Sequence, residues 1–131
     1  AIASELAAKM FRLKILAKNI QDNKSNTTRF LVIGKNSGAP SGDDKTSLLF
    51  SVKHRAGSLY EALGALKRAN LNMTKIESRP NPLKKWEYFF FVDIEGHIEE
   101  KKVSKALKDL NKHCTTLSIL GSYPKAPERI L

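Results

Sequence analysis

The residues of this chain best suited to chemistry lie in two short runs. In Glu77-Ser78-Arg79-Pro80 a carboxylate, a hydroxyl, a guanidinium and a proline follow one another at the end of an apolar stretch. Proline lacks a backbone donor and pushes Arg79 into extended geometry, so a strand is expected to stop there. Three different polar groups are then left at a strand end, where binding groups often sit. A plain turn would draw on Gly, Asn or Asp instead. Glu77 is able to accept from an ammonium group, and Ser78 to donate or accept. The same residues read equally as a surface ion pair between Glu77 and Arg79, worth under about 1 kcal/mol. The second run is Lys53-His54-Arg55-Ala56-Gly57-Ser58-Leu59, where a strand passes into a helix. Gly57 lets the backbone come close to a ligand. The first amides of a helix lack internal partners and carry the positive end of its dipole, so they suit a carboxylate. Taken alone, Gly57 is better explained by a tight turn and Ser58 by a helix cap.

Elements must hold these runs in place. Leu6, Met10 and Leu13, with Ala7 and Ala8 beside them, predict a helix over 3–19, and Arg29-Phe30-Leu31-Val32-Ile33 reads as a short strand. Lys35 to Asp44 is rich in Gly, Ser, Pro and Asn and reads as a linker. Beyond it, Leu48, Phe50 and Val52 alternate on a strand. Leu59, Ala62, Leu63 and Leu66 form a helical stripe, and Leu71–Arg79 makes a second strand. Trp86, Tyr88, Phe90, Val92 and Ile94 alternate along a third, with Phe89 and Phe91 on its other face. Val103, Ala106, Leu107 and Leu110 repeat the helical spacing, and Leu117, Ile119 and Tyr123 mark a last strand. The order βαββαβ predicts an α+β, ferredoxin-like domain with both helices on one sheet face. In this reading the second strand returns antiparallel beside the first, so the Glu77 end lies away from Gly57. Pairing two copies through their sheet edges would then bring the two runs together. A third strand apolar on both faces predicts self-association.

The totals narrow the choices. The 131 residues carry 23 basic and 13 acidic side chains, a net charge of +10. The excess is +4 over 1–34 and +6 over 35–131, so the charge is spread and is weak support for nucleic acid. Cys114 is the only cysteine, which excludes an internal disulfide and fits a reducing, cytoplasmic setting. No apolar run approaches the roughly 20 residues that cross a bilayer. Glu5 and Lys9 interrupt the N-terminus as a signal peptide. A start at Ala1, already inside a helical pattern, reads as a piece of a longer polypeptide or a processed one. His54, His97 and His113 lack metal-site spacing, and His97 reads as a turn residue. Lys101, Lys102, Lys105, Lys108 and Lys112 read as a solvated helix face, with Glu99 and Glu100 suiting its N-terminal dipole. Cys114 reads as a core or interface thiol.

Residues 46–123 resemble an ACT regulatory domain, and those of prephenate dehydratases in particular. The family's glycine turn corresponds to Gly57-Ser58-Leu59 and its second motif to Glu77-Ser78-Arg79-Pro80, with Ala56 and Ser58 standing where the family usually has proline and alanine. Phe11, Leu13, Leu16, Asp22, Thr28-Arg29-Phe30-Leu31 and Ile33 match the other prephenate dehydratase signature. The resemblance implies the end of a catalytic domain over 1–34, a linker over 35–45, an ACT domain over 46–123 and a tail over 124–131. It implies a cytoplasmic lyase of phenylalanine biosynthesis that turns prephenate into phenylpyruvate, water and carbon dioxide without a cofactor or metal. Phenylalanine would bind between two ACT domains of a homodimer or homotetramer, touching Gly57, Ser58, Leu59, Asn72, Glu77 and Ser78. It also implies a catalytic role for Thr28, and Arg29 reads either as a partner of a substrate carboxylate or as one half of an ion pair. Without the rest of the catalytic domain, these residues are expected to be inactive as a dehydratase. Two rivals share parts of the pattern. One is a stand-alone amino-acid sensor, which has no reason to carry Thr28-Arg29-Phe30. The other is an RNA-recognition module, which has aromatics on its third strand but for which Glu87 and Asp93 are ill suited.

Overall fold

The structure, a computed structural model, describes residues 1–23, 28–35, 38–82, 84 and 86–126. Parts of the expected Ile20–Thr27 turn, of the linker and of the tail, together with Lys85, lie outside the described residues. The chain divides into two compact units, Ala1–Ile33 and Gly34–Leu131.

In the first unit, α1 spans Glu5–Met10, far less than the helix expected over 3–19. Ser4 caps it, its hydroxyl oxygen accepting the Ala7 N–H at 3.1 Å. Arg12 then takes a left-handed φ of 52°, which a right-handed helix cannot continue through. Leu6, Met10, Leu13 and Leu16 are all exposed, so the apolar stripe buries little. A helix this short needs packing that the stripe does not find. Arg29–Ile33, expected as a strand, joins no ladder, and Phe30, Leu31, Val32 and Ile33 are exposed. An isolated strand has nothing to satisfy its backbone groups or cover its apolar side chains.

The second unit contains β1 (Asp44–Ser51), α2 (Ser58–Arg68), β2 (Met73–Pro80), β3 (Tyr88–Glu95), α3 (Lys101–Asn111) and β4 (Thr116–Pro124). This is the expected βαββαβ order. The sheet runs β2-β3-β1-β4, and every neighbouring pair is antiparallel. Leu48, Phe50, Val92 and Ile94 face Ala62, Ala65 and Leu66 of α2 and Val103, Leu107 and Leu110 of α3 in one buried core. Period-2 and helical spacings therefore both resolve onto a single apolar layer. Ser47 donates to Asp93 (2.6 Å) on the opposite sheet face, which also carries Leu49, Phe89 and Phe91, each partly exposed. Gly96 closes β3 with φ 104°, and a Cβ there would stand 2.7 Å from Val103 Cγ2, so only glycine fits.

The expected strand neighbourhood is also overturned. β2 does not lie beside β1; β3 lies between them, antiparallel to both, so β1 and β2 run parallel. A strand–helix–strand crossover demands that sense. Ser51 and Arg79 both pair with Phe89, which brings the ends of β1 and β2 to the same end of the sheet. The Glu77 run is therefore at the Gly57 end of its own chain, not away from it. Trp86, expected within the third strand, sits in the β2–β3 turn with φ 68°.

Candidate functional site

At that shared end a cavity of about 360 Å³ opens between the start of α2 and the β2–β3 turn. Its first wall is built by the β1–α2 loop. Gly57 takes φ 82° at the N-cap, a left-handed turn that steers the chain into the helix. The Ser58 N–H donates to the Arg55 carbonyl at 3.2 Å, and the Glu61 N–H donates to the Gly57 carbonyl at 2.9 Å. No side chain caps α2. Among the described residues, the amides of Gly57, Leu59 and Tyr60 find no backbone acceptor, so the open donors straddle Ser58. Ser58 is not a cap either. Its side chain is buried, 5% exposed, and its hydroxyl oxygen has no hydrogen-bond partner. A buried hydroxyl left unpaired costs about 1–3 kcal/mol.

The second wall is apolar. Phe90 lines it, stacked on core Phe50 at 5.4 Å between centroids, with Tyr88 and Trp86 continuing outward. Lys53, His54 and Arg55 stand at the rim, and Arg55 is already paired with Glu61 at 2.6 Å. The α2 side of the cavity thus offers amide hydrogens, with Leu59 and Tyr60 beside them, and the β3 side aromatic surface. That division suits a small molecule with an anionic head and an apolar tail.

Gly57, Ser58 and Leu59 are brought together there. Ser78 is exposed, one strand further out, and pairs with Phe90. Glu77 lies on the opposite face, paired with Phe91, and its carboxylate is held by Arg79 (Nε at 2.9 Å) and Lys75 (3.2 Å). The Arg79 hydrogen bond, then Lys75, holds the Glu77 carboxyl below its usual range. The surface ion pair is therefore real. Asn72 is at the far end of the sheet, beside a larger hollow of about 760 Å³. There the Glu95 carboxylate meets Lys125 (3.0 Å) and the Asn72 side chain, and Lys125 reaches on to Asp43 at 2.7 Å. Thr28 and Arg29 are exposed in the first unit.

Sequence reasoning missed two features. Trp86 and Tyr88 were read only as one face of a strand, because the parallel sense of β1 and β2 was not drawn from the crossover. His97, read as a turn residue, is fully buried: Nε2 lies 3.0 Å from the Gly38 carbonyl, and Nδ1 accepts the Glu99 N–H at 3.2 Å. The proton therefore sits on Nε2. No local sequence signal announces that burial. Cys114, by contrast, is half-buried against the core as expected, and burial pushes its thiol up to about 11. No group of His, Cys, Asp and Glu able to hold a metal occurs among the described residues.

Comparison with known proteins bears on both units. The prephenate dehydratase family pattern matches residues 1–38 and the ACT domain pattern residues 46–112. A bifunctional chorismate mutase/prephenate dehydratase of Aquifex aeolicus is 56% identical over 96% of this chain, which spans only 35% of that protein. A prephenate dehydratase from Arthrobacter aurescens, solved in complex with L-Phe, superposes with a TM-score of 0.66 at 30% identity. The match covers 73% of this chain and 32% of that one. GqqA, described as a quorum-quenching acylase, gives a TM-score of 0.68 at 36% identity, covering 75% of this chain and 50% of its own. The matches favour the ACT reading over the RNA-recognition reading of the β3 aromatics.

Proposed function

Because this chain belongs to the ACT-domain family, in the form that makes up the C-terminal part of prephenate dehydratases, we propose that it is the regulatory end of such an enzyme and binds phenylalanine. The observation that carries this reading is a helix mouth with open amides that shares one cavity with an aromatic wall. The effector's carboxylate docks on the Gly57, Leu59 and Tyr60 amides, where the helix dipole adds partial positive charge. Ser58 and Leu59 line that end of the pocket. Glu77 and Ser78 of a second copy hold the ammonium side; Asn72, at the far end of the sheet from both runs in its own chain, is left out of this site. The resulting site joins two copies of the chain in a homodimer or larger assembly. Phenylalanine then inhibits by preferring one arrangement of the domains over the other.

In the parent reaction prephenate loses carbon dioxide, and the electron pair left behind expels the ring hydroxyl, which leaves as water once protonated. Thr28 stabilises that departing hydroxyl by hydrogen bonding, and Arg29 orients a substrate carboxylate. Residues 1–131 alone turn over no prephenate, since the rest of the catalytic lobes is needed. Cytoplasmic residence fits a lone cysteine, and no helix among the described residues is long and apolar enough to cross a membrane.

Calorimetry with phenylalanine tests the site. Glu77→Ala is expected to weaken binding roughly tenfold, the loss of one charge-assisted hydrogen bond of about 1.5 kcal/mol. An unchanged Kd removes Glu77 from the site.

A further inference from the structure

We propose that residues 38–44 form a strap, fastened by His97, through which occupancy of the cavity at the Gly57 turn is passed to the chain joining the two units. The inference rests on the reading above, that this cavity takes an amino-acid carboxylate. It adds where the effect of that ligand leaves the second unit.

Three observations carry it. First, the stretch that reads as a linker is bound. With Nδ1 of the buried His97 ring accepting the Glu99 N–H, Nε2–H donates to the carbonyl of Gly38, 59 residues earlier in the chain. Gly38 also lies against β4, where a Cβ would stand 3.5 Å from the Ser122 carbonyl oxygen. The Asp44 carboxylate folds the next residues by accepting the Ser41 and Gly42 amides, and the Lys125 N–H donates to the Asp43 carbonyl at 2.9 Å. Second, the catch is itself held. The His97 N–H donates to Glu100 Oε1 at 2.6 Å, the Gly96 N–H to the Asp44 carbonyl at 2.8 Å, and the Thr46 hydroxyl to the Gly96 carbonyl at 2.7 Å. Third, two strands join this catch to the cavity. β3 begins with Tyr88, passes Phe90 and ends at Glu95, just before His97. β1 begins at Asp44, the last strap residue, and ends at Ser51, from which the chain runs on to Gly57. A ligand that orders one end of these strands lowers the cost of ordering the other. His97 touches no ligand in this device and is a positioning residue.

The test follows amide hydrogen exchange in the full 131-residue chain, with and without saturating phenylalanine, beside calorimetry. In the wild type the Ser41 and Gly42 amides are expected to be protected, and phenylalanine to slow their exchange roughly fivefold. These amides open locally, so a ligand that only stabilised the whole fold would leave their rate unaltered. Reciprocity requires that loss of the strap weaken phenylalanine binding by the same factor. Two variants separate the strap from the turn around it. His97→Asn keeps an acceptor near the Nδ1 position and loses the reach to Gly38, whereas His97→Gln carries a donor to the Nε2 position. The Asn variant is expected to speed exchange at Ser41 and Gly42 roughly tenfold, the loss of one hydrogen bond, and to bind phenylalanine roughly fivefold more weakly. The Gln variant should restore most of both. Binding of phenylalanine with unaltered exchange at Ser41 and Gly42, or better protection in Asn than in Gln, overturns this proposal and leaves the parent reading standing. Failure of the wild-type chain to bind phenylalanine overturns both. The wild-type comparison needs no variant, so the test survives a substitution that misfolds.

Discussion

Ser58 has a buried hydroxyl without a partner, and that group separates what the residue does for stability from what it does for binding. Removing a buried, unpaired hydroxyl relieves a desolvation penalty. Ser58→Ala is therefore expected to leave the free protein as stable or up to about 1 kcal/mol more stable in urea denaturation. The same change should weaken phenylalanine binding several-fold. A loss of stability would mean that Ser58 has a partner in solution. At this scale the sequence was partly legible. Gly57 announced a turn into a helix, and φ 82° bears that out. Glu77 and Arg79 were readable as an ion pair, but the additional grip of Lys75 followed only from knowing that all three share one sheet face. The orphaned state of Ser58 was invisible, since it depends on which groups the fold packs around the hydroxyl.

Among the elements, those with regular apolar spacing were readable because burial enforces the spacing. The stripes of α2 and α3 and the alternation of β1 and β3 meet in one core. α1 and residues 29–33 carry equally regular patterns, yet their apolar side chains are exposed. Periodicity records a face that wants covering and does not say that a cover is present. The placement of β2 failed for a different reason: the crossover rule, not the spacing, decides it. The start of β1 also carries a titration. The Ser41 hydroxyl donates to the Asp44 carboxylate at 2.7 Å, with the Ser41 and Gly42 amides at 2.8 and 3.1 Å. These bonds, the hydroxyl's first, hold the Asp44 carboxyl below its ordinary value of 3.8. A depressed folded pKa contributes stability that is present above the unfolded value and lost as pH falls through the folded one. Urea midpoints should therefore drop as pH falls below about 4. Asp44→Asn should flatten that acid limb, and an unaltered limb would show that Asp44 does not set it.

At the scale of the assembled molecule, the sheet face of the second unit opposite the helices is an unfinished surface. Leu49, Phe89 and Phe91 line it, and the apolar character of β3 on both sides was legible from the alternation alone. The identity of what covers it was not, because a covering surface belongs to another molecule. If a second copy covers it, sedimentation should report concentration-dependent association. Phe91→Lys should then shift the chain to monomer with a stability loss of no more than about 1 kcal/mol, since Phe91 is already partly exposed. Retained association would place the contact elsewhere. The central claim is that the helix mouth at Gly57 receives the carboxylate of phenylalanine. An amide chemical-shift titration of the chain with phenylalanine tests it most directly. The account predicts saturable shifts at Gly57, Leu59 and Tyr60, with Trp86 and Tyr88 moving in step. Saturable shifts confined to other residues, or none at all, would contradict it.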